Sequence, residues 1–147
     1  MEGSSPARLY AMLVGGVLVI AGVIGFFYDS GFDTGNSVCS SGCDEVLGLL
    51  AVNGWDNLIH IATGAAGLLA LSYGYNAQRG YALILGIVYV IVAVLGFIDF
   101  GTGDFDNTIL KFIPVNTEDN FLHLILGVLG IGAGLVTPRR SVAARTP

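Results

Sequence analysis

Four apolar runs alternate with polar segments along the chain. Residues 9–28 carry no charge and have the length of about 20 residues that an α-helix needs to cross the hydrocarbon core of a bilayer. Residues 81–98 form a second uncharged run, which is rich in Ile, Val and Leu. Residues 55–75 and 119–136 are also apolar, although each run contains a histidine near its start. This pattern predicts four transmembrane helices over these ranges.

The composition agrees with a membrane protein. Of the 147 residues, 54% are hydrophobic and only 12% are charged, which is too apolar for an ordinary soluble fold. The chain has room for one domain, residues 1–147. We therefore predict an all-α integral membrane protein, a four-helix bundle whose main partner is the lipid bilayer. The net charge of −5 argues against binding of nucleic acid through a basic face.

Charged residues divide between the two ends of the predicted bundle. Five arginines fall in the N-terminal tail, in the turn between the second and third spans and in the C-terminal tail: Arg8, Arg79, Arg139, Arg140 and Arg145. The opposite side, with the other two loops and the adjoining span ends, carries Lys111 and ten of the eleven acids: Asp29, Asp33, Asp44, Glu45, Asp56, Asp99, Asp104, Asp106, Glu118 and Asp119. Because cations near transmembrane ends stay on the cytoplasmic side, we predict a multi-pass plasma-membrane protein with cytoplasmic termini and two acidic extracellular loops.

The first outer loop contains both cysteines, Cys39 and Cys43. Two thiols around a Ser-Ser-Gly linker are too few ligands for a zinc site, so a disulfide is predicted. A disulfide requires an oxidising compartment, which agrees with an extracellular loop. Residues 44–51 then begin with acids and continue apolar, and residues 108–113 occupy the equivalent place in the second loop. These segments predict short interfacial helices that lie as lids over the bundle.

The two halves of the chain repeat one motif. Residues 52–64 and 115–127 share the pattern V-N-x-x-D-N-φ-φ-H-φ-x-x-G, in which φ is apolar. Positions in the first and third spans also correspond: Gly15, Gly25 and Phe26 with Gly86, Gly96 and Phe97. We predict two tandem repeats, residues 9–75 and 81–137, each of which is a helical hairpin. Because each repeat has an even number of spans, the copies share one orientation about an axis along the membrane normal.

This motif supplies the candidate site residues: Asn53, Asp56, Asn57, His60, Asn116, Asp119, Asn120 and His123. Asparagine is a good N-cap, and the aspartate three residues later can return a hydrogen bond, as in a capping box. The second asparagine and the histidine follow the helix start and therefore approach the hydrocarbon. In each copy the aspartate, the histidine and a glycine share one helical stripe, so the imidazoles are predicted to point into the bundle, where they can face each other.

Three roles for His60 and His123 stay open from the sequence. In the favoured one, each imidazole hydrogen-bonds to the aspartate one turn earlier or to the other repeat and ties loops to helices. In the second, the histidines ligate a haem iron from both sides, or a metal ion assisted by Asp56 and Asp119. In the third, they titrate in a proton or ion pathway, although the first and third spans hold no interior charge to continue it. No cofactor is predicted apart from the haem or metal of the second role.

No motif of a known catalytic class is present, so the chain is not predicted to be an enzyme. It lacks G-x-S-x-G, H-E-x-x-H, a P-loop and a dinucleotide fingerprint. The acidic run 104–107 lacks the later glycine and glutamate of an EF-hand and predicts a solvated loop rather than a calcium site. We expect a structural or accessory component of a membrane assembly, which associates with itself or a larger complex through Gly-rich helix faces. The glycines of the fourth span can serve either such association or packing within the bundle: Gly127, Gly130, Gly132 and Gly134.

The paired motif, at residues 53–60 and again at 116–123, resembles that of a family of small bacterial four-span membrane proteins, common in actinobacteria and classed as a domain of unknown function. The resemblance covers nearly the whole chain and implies a four-helix membrane domain. It implies no activity. The cysteine pair is not expected in every member of that family, so we expect its role to be local to this chain.

Overall fold

A computed structural model describes residues 5–39, 42–102 and 108–139, and this part of the chain is mostly helical. It contains four α-helices: α1 (Pro6–Gly25), α2 (Gly54–Ala70), α3 (Tyr75–Thr102) and α4 (Thr117–Val136). A two-stranded antiparallel hairpin precedes each even-numbered helix: β1 (Asp44–Val46) with β2 (Leu50–Val52), and β3 (Thr108–Ile109) with β4 (Ile113–Pro114). The acidic run 104–107 lies outside the described residues, and so do the arginines Arg140 and Arg145.

Three of the described helices are long and apolar enough to cross a membrane: α1, α4 and residues Tyr75–Ile98 of α3. The chain is therefore a membrane protein. Large apolar side chains such as Val17, Ile84 and Leu135 are exposed on the outer faces of these helices, as expected where helices meet lipid. α2 is shorter, with 17 residues.

The helix bounds differ from the predicted spans where local chemistry starts or stops a helix. α1 begins before the predicted range 9–28, because the Ser5 side chain accepts a hydrogen bond from Arg8 N at 3.1 Å and proline suits the first turn. The second span was predicted over 55–75, but α2 ends at Ala70 and the chain turns through Gly74, whose φ is +84°. α3 extends beyond the predicted range 81–98 at both ends.

The prediction of short interfacial helices at residues 44–51 and 108–113 is wrong, because both segments form β-hairpins. In the first hairpin Val46 pairs with Leu50, and the second hairpin has the same register. Positive φ angles occur at both central residues of each turn, as in type I′ turns: Leu47 and Gly48, then Leu110 and Lys111. This backbone reverses the chain immediately and pairs the flanking residues as strands, so no helical turn can form.

Glycines bring helix backbones into direct contact in both halves of the chain. A Cβ added at Gly15 would lie 2.9 Å from Gly64 O, and one added at Gly64 would lie 2.6 Å from Gly15 O. The equivalent contact between Gly86 and Gly127 is reciprocal too, at 2.8 and 2.9 Å. α1 therefore packs closely on α2, and α3 on α4, at crossings that exclude any side chain.

Three of the four α4 glycines, for which packing and association were both open from the sequence, contact the chain's own helices. A Cβ at Gly127 would meet Gly86 O, one at Gly130 would meet the Tyr10 hydroxyl, and one at Gly134 would meet Leu83. Gly132 differs, because nothing lies within 4 Å of the position of its Cβ. Most of this glycine pattern is therefore used for packing within the described chain.

Polar contacts define one end of the bundle. Thr137, which follows α4, accepts a hydrogen bond from Ala7 N at its hydroxyl and another from Arg79 Nε at its carbonyl, both at 3.0 Å. The start of α1, the start of α3 and the end of α4 therefore meet there. We call this the arginine end, after Arg8, Arg79 and Arg139. The opposite end, which carries the two β-hairpins, is called the hairpin end.

Candidate functional site

The first half of the repeated motif begins α2 and α4. The Asn116 side chain accepts a hydrogen bond from Asp119 N at 2.8 Å, and the Asp119 carboxylate accepts one from Asn116 N at 3.1 Å. This is a complete capping box. At α2 the Asn53 side chain accepts from Asp56 N at 2.9 Å. The caps fix the helix starts at the hairpin end, which places the following motif residues at the same depth.

The same two asparagines also join the halves of the chain. Asn53 Nδ2 donates to Phe112 O at 2.7 Å, and Asn116 Nδ2 donates to Leu49 O at 2.7 Å. Phe112 and Leu49 occupy matching positions in the two hairpin turns. Each cap therefore binds the hairpin that precedes the other cap. Both hairpins are held over the helix starts in this way.

Asn57 and Asn120 are completely buried beside glycines, although their partners differ. A Cβ at Gly25 would overlap the Asn57 amide, and a Cβ at Gly96 would overlap the Asn120 amide. Asn57 Nδ2 donates to Asp29 O at 2.8 Å, because α1 has ended at Gly25 and this carbonyl lies outside the helix. α3 continues past Gly96, and the Asn120 amide has no hydrogen-bond partner in the described structure.

A single proline makes the two motif aspartates unequal. Asp119 Oδ2 accepts a second hydrogen bond from Ala51 N in β2, at 3.0 Å. The residue that matches Ala51 in the second hairpin is Pro114, which has no N–H to donate. Asp56 Oδ2 is accordingly buried without a hydrogen-bond donor, and the Asp56 side chain is only 8% exposed. The two carboxylates match in sequence but differ in hydrogen bonding.

The two histidines lie beside each other near these carboxylates. Their ring centroids are 6.5 Å apart, and the Tyr89 ring of α3 lies 4.8 Å from that of His123. His60 Nδ1 is 3.3 Å from Asp56 Oδ2 but lacks the alignment of a hydrogen bond. Nδ1 of the buried His123 has no hydrogen-bond partner in the described part of the chain. The structure thus brings both motif histidines to one place.

A cavity of about 340 Å³ opens onto this polar group from the side of the bundle. Apolar residues of α1, α4 and the first hairpin form its walls, among them Leu126. At its edge, Val17 and Ile20 are 61% and 60% exposed on the outer face of α1. Its polar lining consists of five side chains, which we call the polar base: Asp56, His60, Tyr89, Asp119 and His123. The cavity therefore connects the lipid-facing side of the bundle with the polar base.

Several atoms of the polar base lack the hydrogen bonds that buried polar atoms normally make. They are Asp56 Oδ2, Tyr89 Oη and His123 Nδ1. Leaving such atoms unsatisfied costs about 1–3 kcal/mol each, so a ligand that bonds to them recovers that free energy. No Lys or Arg of the described ranges lines the cavity. Within the described residues, no group of three or more His, Cys, Asp or Glu side chains is placed to hold a metal ion.

Tyr89 is the residue of this site that the motif analysis missed. It lies in the apolar run of the third predicted span, where a tyrosine resembles an ordinary core residue. The available signal was a hydroxyl within a stretch of Ile, Val and Leu. Its matching position in the first half is Leu18, which also lines the cavity. Because the two residues differ, Tyr89 is not part of the repeated pattern and comparison of the two halves does not identify it.

The loop between α1 and the first hairpin adds one aromatic cluster and the predicted disulfide to the hairpin end. Trp55 lies between Phe32 and Phe112, with ring centroids 5.0 and 5.9 Å away, and packs edge-on against both. Cys39 and Cys43 are joined by a disulfide, as predicted. The loop and the second hairpin therefore meet on the first turn of α2.

Comparison with known proteins places most of the chain in one family model. A model described as "Domain of unknown function (DUF4383)" matches residues 8–136, which include α1 from its third residue, the other three helices and both copies of the motif. No curated protein and no solved structure matches the chain.

Proposed function

The chain belongs to the DUF4383 family, whose description states no activity, and we propose that it binds an uncharged amphiphile taken from the membrane. The observation that carries this proposal is the cavity, which leads from the outer face of α1 to the polar base. Pockets that combine apolar walls with a few convergent polar groups are typical ligand sites. The protein then acts as a binding protein and carries out no chemistry on its ligand.

The polar base favours a head group that is uncharged and can form hydrogen bonds. Tyr89 Oη and His123 Nδ1 are positioned to bond to a hydroxyl or carbonyl oxygen, and Asp56 Oδ2 is positioned to accept from a hydroxyl. A phosphate or carboxylate would meet two aspartates and no cation, which makes its burial costly. The volume is near the lower limit of ligand pockets, so the head and first carbons fit while the tail extends into lipid.

Photolabelling of the full chain in lipid nanodiscs tests this proposal. A diazirine monoacylglycerol is expected to label α1 and α4 beside the cavity, near Val17, Ile20 and Leu126. Unlabelled monoacylglycerol should compete, whereas an alkyl phosphate should not. Tyr89→Phe and His123→Ala should each reduce the labelling about threefold to tenfold, which corresponds to one lost hydrogen bond.

The matched control is Tyr73→Phe, because Tyr73 is 78% exposed and lies outside the cavity. This variant should label like the parent protein. Labelling spread evenly over the lipid-facing helices, or unchanged in both cavity variants, would contradict the proposal.

We also propose that all four helices span the membrane, with the arginine end in the cytoplasm and the hairpin end outside. Support comes from the clustering of Arg8, Arg79 and Arg139 at one end and from the disulfide and acids at the other. Single cysteines then have predictable accessibility to an impermeant maleimide. Glu118→Cys should react in intact cells, whereas Ser72→Cys should react only after permeabilisation. Reaction of both, or the reverse order, would refute this orientation.

A tandem origin of the two halves is part of the same proposal. Three kinds of contact support it because each occurs once per half: the glycine crossings, the buried asparagine beside a glycine, and the asparagine that binds the opposite hairpin turn. A pseudo-twofold axis along the membrane normal accounts for the pairing of His60 with His123.

The other roles considered for the chain stay predictions. An accessory role in a membrane assembly has less support from the α4 glycines, because Gly127, Gly130 and Gly134 contact the chain's own helices. Haem or metal ligation by His60 and His123 draws support from their proximity, and a Soret band or stoichiometric metal in purified protein would establish it. A proton pathway could begin at the polar base. Among the described residues, α1 and α3 provide no chain of ionisable side chains to continue it.

A further inference from the structure

A second cavity lies at the arginine end, far from the polar base. It is a groove of about 340 Å³ between the start of α3 and the segment after α4. Its lining combines two cations with apolar and small residues: Asn76, Arg79, Gly80, Leu83, Ile84 and Arg139. Among the residues that the structure describes, no carboxylate lines it. Its charge is therefore opposite to that of the hairpin end.

The groove places its charges and its apolar surface in a defined order. Arg79 Nε donates to Thr137 O at 3.0 Å, which fixes the guanidinium plane beside the groove. Arg139, which also lines the groove, is exposed. Ile84, which lies five residues after Arg79 on α3, is 67% exposed. In the orientation proposed above, on which this inference rests, the two cations lie at the head-group level of the inner leaflet and the apolar surface continues toward the acyl chains.

We propose that this groove binds the phosphate head group of an anionic phospholipid of the inner leaflet. Two arginines provide the charge and the planar donors that suit phosphate oxygens, and pockets of this kind between transmembrane helices bind anionic head groups. The occupant is a lipid because Leu83 and Ile84 form an apolar path for its chain. The proposal concerns a different site from the amphiphile cavity and does not depend on it.

Native mass spectrometry of the full chain, released from nanodiscs of mixed phosphatidylcholine and phosphatidylglycerol, provides the test. We expect phosphatidylglycerol to be retained in preference to phosphatidylcholine. Arg139→Gln and Arg79→Gln should each lower this preference about fivefold, the factor expected for one surface cation. Arg8→Gln is the matched control, because Arg8 is exposed at the same end but does not line the groove. Arg139→Gln keeps the Thr137 contact and therefore separates lipid binding from folding.

Three outcomes would overturn the proposal. The first is equal retention of the two lipids, and the second is an equal loss of preference in Arg8→Gln and in the groove variants. The third is displacement of phosphatidylglycerol by inorganic phosphate at a concentration similar to that of the lipid, because the site would then bind a free anion. Persistence of the lipid in the presence of inorganic phosphate supports the acyl-chain contact.

Discussion

Gly86→Leu is expected to destabilise the bundle more than any other single change considered for this chain. A Cβ at Gly86 would lie 2.6 Å from Ile131 N and 2.8 Å from Gly127 O, and both neighbours are backbone atoms of α4. Backbone cannot rotate away as a side chain can, so the two helices must separate. Overpacking commonly costs about 1–3 kcal/mol, and we expect a loss of about 3 kcal/mol or more here. The free energy of unfolding of Gly86→Leu and of the parent protein, compared in mixed detergent micelles, measures this loss of stability.

Gly132→Leu is the control for this prediction. It makes the same change of side chain on α4, but nothing lies within 4 Å of the added Cβ. Its free energy of unfolding should stay within about 0.5 kcal/mol of the parent protein, as for a surface position. If both variants lost the same stability, the close contact of α3 with α4 would not be the cause.

Asp119→Ala should destabilise the chain much more than Asp56→Ala, although the two aspartates match in the motif. Asp119 Oδ2 accepts hydrogen bonds from Asn116 N and from Ala51 N, and the alanine would leave both donors without an acceptor. At about 1–3 kcal/mol for each orphaned donor, the expected loss is about 2–4 kcal/mol. Asp56 lacks the corresponding strand donor because Pro114 stands in its place. Its replacement should cost about 1 kcal/mol or less.

Asp119→Asn tests whether hydrogen bonding is the cause. Both donors contact the same oxygen, Oδ2, so an amide oxygen can replace it and most of the stability should return. Unfolding monitored by the fluorescence of Trp55, the only tryptophan in the chain, gives the order of the three variants. Equal losses in Asp119→Ala and Asp56→Ala would contradict the unequal roles assigned to the two carboxylates.

The helices were predictable from the sequence, whereas the hairpins were not. Long apolar runs identify α1, α3 and α4 directly, because a helix satisfies its own backbone within lipid. The segments before α2 and α4 are short and partly apolar. Acids followed by apolar residues suggested a helix in the first segment, and the second occupies the equivalent place. Gly48 was a turn signal in the first segment. The second turn has Leu110 and Lys111 at positive φ, residues that give no such signal.

At the site, the motif identified most of the side chains, but it did not show that the two copies differ in their hydrogen-bond partners. Repetition of the motif indicated that His60 and His123 could face each other, and their rings are 6.5 Å apart. The contact of Ala51 with Asp119 depends on a hairpin that crosses to the other half, which no local pattern describes. Tyr89 joins the polar base only because α3 packs against α4, a tertiary contact that its own apolar run does not reveal.

Crosslinking of His60→Cys with His123→Cys tests most directly whether the two halves place their motif side chains on one cavity. The native cysteines form a disulfide and leave no other thiol for the reagent. A protease site is inserted in the turn between α2 and α3, and a short bifunctional thiol reagent is added before cleavage. We expect the cleaved halves to remain joined, whereas the control pair His60→Cys with Gly132→Cys separates. Separation of the halves in both pairs would contradict the shared site.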